Sequence, residues 1–161
     1  MNSNKFFQNQ KTNSTPKEET AIDKAKQLYQ NIGKINSKWI VSGADIFLPD
    51  YAEKLGEILA NYEDEDKENE HKLTNSQIRS IYGEIKRIQI SGFNMNKSSF
   101  YLLRPKMAYA AGRNKNNERV QLFKLFFEDA WKEVKDEDTF KNFCNLIEAV
   151  LAYHKAFGGK D

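Results

Sequence analysis

The chain has 161 residues, 25 Lys and Arg against 23 Asp and Glu, a formal net charge of +2 and one cysteine, Cys144. That length suits one domain that buries a core without a metal or disulfide staple, and a lone cysteine excludes an intramolecular disulfide and fits a reducing, cytoplasmic setting. No apolar run approaches the roughly 20 residues that span a bilayer, and MNSNKFFQNQKTNSTPKEET has no apolar stretch after its lysines, so neither a membrane span nor a signal peptide is expected.

The first 20 residues are rich in Asn, Gln, Lys, Ser and Thr, the composition of a disordered tail. Residues 21–161 are expected to form a single helical-bundle domain. AIDKAKQLYQNI, residues 21–32, suits a short helix carrying Ile22, Ala25, Leu28 and Ile32. In LPDYAEKLGEILANY, Pro49 suits a first turn, and Leu48, Tyr51, Leu55, Ile58, Leu59 and Tyr62 fall at steps of three and four. The following EDEDKENEH, residues 63–71, lacks the glycine and the ligand spacing of a calcium loop and reads as a solvated loop.

LTNSQIRSIYGEIKRIQI opens on a capping box, Thr74 with Gln77, and carries the stripe Ile78, Ile81, Tyr82, Ile85 and Ile88. At about 100° per residue, Arg79 and Lys86 lie about 20° apart on one flank of that stripe. Ser91-Gly92 is the expected stop. The next helix carries Phe100, Leu103, Met107 and Ala110 or Ala111, and Pro105 either begins it or kinks a longer one. Lys106 and Arg113, seven apart, share a face, and Arg104 lies on the other side. Residues 116–134 place Val120, Phe123, Phe127, Ala130 and Val134 on one face, widened by Leu122, Phe126 and Trp131. The last segment carries Phe140, Phe143, Ile147, Val150, Leu151 and His154, with Gly158-Gly159 as its stop. No alternating strand pattern occurs, and WIVSG is too short for one. The fold class is all-α: a compact bundle of about five helices with a flexible N-terminal tail.

Signals of an enzyme are nearly absent. His71 and His154 are far apart in sequence, Cys144 sits at a core position between Phe143 and Ile147, and no phosphate-cradling glycine loop occurs. His154 reads as a packing or capping residue. No cofactor or metal is called for.

Charge distribution carries more than the total. Residues 46–73 hold 3 bases and 9 acids, whereas residues 74–113 hold 7 bases and 1 acid. Between Glu84 and Glu118 there is no acid, but there are Lys86, Arg87, Lys97, Arg104, Lys106, Arg113 and Lys115. Solvated helices ordinarily mix signs through i,i+4 pairs. An uncompensated run points to a polyanion such as a nucleic-acid backbone, to an acidic protein, or to the acidic segment 46–73 of this or a second copy. Most aromatics fall on inner faces; Tyr101 and Tyr109, beside the bases, are the candidates for stacking on nucleotides.

LTNSQIRSIYGEIKRI, YLLRPKMAYAAGR and FKNFCNLIEAVLAYHKAFGGK, in that order and spacing, resemble the small subunit of type III-A CRISPR–Cas effector complexes, the Csm complexes, over roughly residues 45–160. The resemblance implies an RNA-binding helical bundle without nuclease activity. Its copies would stack head to tail along the guide RNA–target RNA duplex, beside the backbone and large subunits of the complex, in antiviral defence. It implies contact with the target RNA and guide RNA backbone through Arg79, Lys86, Arg104, Lys106 and Arg113, with Lys97 as a weaker member. The small subunit of the related Cmr-type complexes and a helical adaptor with a basic docking face are the alternatives. The AYAAGR block favours the Csm type.

Overall fold

The computed structural model describes residues 18–60 and 72–159. They form seven helices and no strand: α1 (Ala21–Ile32), α2 (Lys38–Val41), α3 (Leu48–Ala60), α4 (Asn75–Ser91), α5 (Lys97–Arg113), α6 (Glu118–Trp131) and α7 (Glu137–Ala156). The all-α expectation holds, with six helices of twelve residues or more and the single turn α2. Most of the tail expected for residues 1–20 lies outside the described residues, as does the acidic loop 63–71; Thr20 is described and caps α1 through Asp23.

The core is organised by α6. Val120, Leu122, Phe123, Phe126, Phe127 and Ala130 are buried on one side of it, and Lys124, Leu125, Glu128 and Asp129 on the other side are half-buried rather than exposed. No residue of α6 is fully exposed, which makes it the central helix, and α1, α3, α5 and α7 pack against it. Its side chains enter an aromatic cluster. Phe100 stacks on Trp131 with centroids 5.6 Å apart and meets Phe143 edge-on at 5.9 Å, and Phe127 meets Phe143 at 5.7 Å. Edge-to-face and offset rings add about 0.5–1.5 kcal/mol per pair beyond the area they bury. The Trp131 indole N–H donates to the Phe100 carbonyl at 3.1 Å, fastening α6 to α5 by a directional bond as well.

WIVSG becomes α2 and its exit. The Trp39 indole donates to Asp45 at 2.7 Å, and the same carboxylate accepts from the Phe47 and Leu48 amides that open α3. Asn142 of α7 donates to the Ile40 carbonyl at 2.9 Å. These bonds satisfy the polar groups of a turn too short to be stable alone.

The α3–α7 contact depends on Gly56. A Cβ there would lie 2.6 Å from the Tyr153 Cβ and 2.7 Å from the His154 amide nitrogen. Beside this crossing, the buried His154 bonds the Leu73 carbonyl through Nε2 at 2.8 Å. A carbonyl only accepts, so Nε2 carries the proton and Nδ1 is left without a hydrogen-bond partner. The Leu73 amide donates to the Leu59 carbonyl at 3.1 Å, so both flanks of the segment between α3 and α4 meet at one place. Cys144 is buried, and burial pushes its thiol up to about 12, which makes it a packing residue.

Two outcomes follow. Gly56→Ala should lower stability by about 1–3 kcal/mol through overpacking, despite Ala being the better helix former, and should be read from the urea midpoint. Burial holds the His154 pKa below its ordinary value, with the Leu73 bond opposing. Above about pH 6.5 the ring is neutral in both folded and unfolded chains and contributes no pH dependence. As pH falls below that value the unfolded chain binds a proton that the folded chain resists, so stability declines as the pH drops below about 6.5. His154→Gln should flatten that part of the urea-midpoint profile.

Candidate nucleic-acid interface

The basic residues are set by two helices that the sequence punctuates clearly. Gln77 Oε1 accepts from the Thr74 amide at 2.8 Å, closing the expected capping arm, and α4 stops where Gly92 takes a φ of +90°. Ile78, Ile81, Ile85 and Ile88 are buried, which turns Arg79 outward. In α5, Phe100, Leu103, Met107, Ala110 and Ala111 are buried as the spacing required. Pro105 neither begins nor ends this helix but lies within it, on the exposed side. The amide it lacks would have bonded the carbonyl of exposed Tyr101, which water can reach instead.

α4 packs against both α5 and α7 and so has a groove on each flank. The α4–α5 groove is about 710 Å³ and is lined by Leu102, Pro105, Tyr109, Lys106 and Arg113 from α5 and by Ser76, Gln77 and Ser80 from α4. Among the described residues no carboxylate lines it. Its closed end is built from amides: Gln77 Nε2 donates to Asn114 Oδ1 at 3.1 Å, Asn114 Nδ2 donates to the Ala110 carbonyl at 2.8 Å, and Gln121 donates to the Ala111 carbonyl at 2.9 Å. The Arg113 guanidinium lies 6.0 Å from the Tyr109 ring centroid. The α4–α7 groove, about 680 Å³, holds Arg79, Tyr82 and Gly83 opposite Glu148, Leu151 and Lys155.

The structure corrects the view that seven bases go uncompensated. Lys86 Nζ sits 2.6 Å from Glu148 of α7, which raises its pKa. Arg87 makes two bonds to Glu84, at 2.8 and 3.0 Å, and reaches Asn96 and Ser99, tying α4 to the start of α5. That pairing holds the Glu84 carboxyl below its usual range. Lys106 lies 4.0 Å from Glu84, the outer limit of an ion pair. Sequence distance hid these partners: Glu148 is 62 residues from Lys86, and Glu84 sits at the edge of the acid-free window.

The six candidate bases therefore do not form one patch. Lys106 and Arg113 share the α4–α5 groove, and Arg79 lines the α4–α7 groove. Lys86 leans across to α7 on the same flank as Arg79. Arg104 lies over the Trp131 ring at 5.6 Å, on the far side of α5. Lys97 is exposed in the first turn of α5. Lys155 joins Arg79 and was not singled out from the sequence, although the YHK motif that contains it was. Tyr101 and Tyr109 are 55% and 69% exposed, so the outward face of α5 is aromatic as well as basic. Among the described residues no three His, Cys, Asp or Glu side chains come together as a metal would need, and no helix is long and apolar enough to cross a membrane.

A family model described as Csm2 Type III-A matches residues 47–160, the stretch that contains α4, α5 and both grooves. A curated relative from Streptococcus thermophilus, "CRISPR system Cms protein Csm2", is 34% identical over 118 residues, which is 69% of this chain and 93% of the relative.

If Lys86 serves the bundle while Arg79 does not, Lys86→Ala should lower the urea midpoint by an amount worth no more than about 1 kcal/mol, since the pair is part-exposed. Arg79→Ala should stay within about 0.5 kcal/mol of the parent. Equal losses would show that Arg79 also has a structural partner.

Proposed function

The chain belongs to the Csm2 type III-A family, the small subunit of type III-A CRISPR complexes, and on that premise we propose that it is a non-catalytic subunit that holds RNA by its backbone. Its copies stack along the guide RNA–target RNA duplex beside the backbone and large subunits, and its basic grooves contact target-strand phosphates. The carrying observation is the α4–α5 groove, where Lys106 and Arg113 share one side of α5 and no carboxylate of the described residues lines the wall, a face that a polyanion neutralises. Arg79 and Lys155, across α4, extend the same positive surface.

Base pairing supplies sequence recognition in such an assembly, so the protein needs only shape and charge. Phosphate contacts suit this role because they are indifferent to sequence. Each copy alone binds weakly, and stacked copies bind well because one strand joins their sites at high effective concentration. The proposed role requires no general acid, base or metal at either groove.

Affinity purification of the tagged protein from its host should bring down short RNAs sharing a repeat-derived end, together with several larger subunits. Recovery with proteins alone, unchanged by ribonuclease, would instead make the basic face a protein-docking surface. With purified protein and single-stranded RNA, about four phosphate contacts per copy give a log–log salt slope near about −3. The Lys106→Glu, Arg113→Glu pair should reduce that slope by about 1.4, and a flat salt response in the parent chain would sink phosphate contact.

A further inference from the structure

The α4–α5 groove contains more than phosphate binding requires. Cations alone would hold a backbone, yet between Lys106 and Arg113 the groove wall is apolar and aromatic: Leu102, Pro105 and Tyr109. Around α5, at about 100° per residue, Tyr101, Pro105 and Tyr109 fall within about 80° of one another, opposite the buried Phe100, Leu103 and Met107. Tyr101 meets buried Phe100 edge-on at 6.1 Å, whereas Tyr109 has no core partner among the described rings and is 69% exposed.

We infer that this groove accommodates an unpaired nucleobase of the bound RNA, stacked on Tyr109, with Lys106 and Arg113 holding the phosphates on either side. The inference rests on the RNA reading above and adds the kind of nucleotide that the groove takes. Sites for single-stranded nucleic acid combine cations that follow the backbone with aromatic rings on which bases stack. A protein-docking groove differs, because the centre of such an interface is depleted of charge and of lysine above all. Here Lys106 lines the same groove as Pro105 and Leu102. Arg113 at 6.0 Å from the Tyr109 centroid puts a phosphate ligand and a stacking surface within the reach of one nucleotide. The volume of about 710 Å³ falls among sites of small-ligand size, about 300–1,000 Å³. The hydroxyls of Ser76 and Ser80 line the groove from α4 and suit the polar edge of a base. The α4–α7 groove is the poorer match, since Glu148 lines it and its Tyr82 is half-buried beneath Lys86 at 5.7 Å.

The test uses the full chain and two fluorescein-labelled probes read by anisotropy: a ten-nucleotide RNA of mixed sequence, and a ribose–phosphate strand of equal length without bases. Tyr109→Ala should raise the Kd for the base-bearing strand about tenfold, the loss of one stacking contact, and Tyr109→Phe should restore it. Neither change should alter binding of the baseless strand or the salt slope. An unchanged Kd for Tyr109→Ala overturns the inference and leaves phosphate contact standing. Equal loss on both strands also overturns it, since the ring would then be supporting the cations. If sedimentation shows that Tyr109→Ala abolishes self-association, with RNA affinity per protomer unchanged, the occupant is a second copy. If the parent chain binds neither strand at low salt, the RNA reading fails and the inference falls with it. Tyr109 is exposed, so the helical circular dichroism and melting of its variants should match the parent, and a variant that melts early is replaced by Tyr109→Leu.

Discussion

A helix with no fully exposed residue cannot be an outer wall of the molecule, and α6 imposes that constraint on everything else. Four helices have to cover it, and two of them, α5 and α7, are left with outer shoulders. α4 lies across those shoulders. Its stripe of four isoleucines is wide enough to seat it and too narrow to fill the valleys on either side. Both grooves are consequences of this layering. They lie on elements anchored by stacked rings and by amide bonds at Asn114 and Gln121, so the cations that line them project from a rigid surface. Under the proposed role, rigid placement would let each copy present its charges at the same spacing.

The charges divide by role once their neighbours are known. Arg87 and Lys86 lie on the same helix as Arg79, but they act as braces: one ties α4 to the start of α5, the other ties it to α7. Braces of this kind contribute modestly to stability in an exposed setting. They orient α4 so that Arg79 and the groove-lining residues keep their positions. The low-complexity view of a positive stretch thus separates into structural and presented cations, and α4 holds both within nine residues.

Much of the fold was legible in the sequence. The limits of α1, the capping arm at Thr74, the stop at Gly92 and the inner faces of α5 and α7 followed from apolar spacing and cap chemistry, which are local signals. α2 was missed because a single turn has no periodicity to read, and it is held in place by Asn142, about a hundred residues away. The site was legible in part. Periodicity correctly paired Lys106 with Arg113 and Arg79 with Lys86, since positions seven apart share a helix face. It did not reveal that Glu148 neutralises Lys86, or that Lys155 stands opposite Arg79. Those facts belong to helix–helix packing, which no single helix encodes. Spacing alone left open whether Pro105 begins α5 or lies within a longer helix; its place on the solvent side of α5 lets the helix run through it.

The meeting of Leu59, Leu73 and His154 has a practical consequence for the segment between α3 and α4. Leu73 bonds Leu59 through its amide and His154 through its carbonyl, so the chain leaves and re-enters the bundle at a single fastening. Lengthening a connection between two such fixed feet costs about 0.6 kcal/mol per doubling. Added length between Ala60 and Lys72 should therefore cost the bundle little, because the fastening at Leu59, Leu73 and His154 stays in place on either side of it.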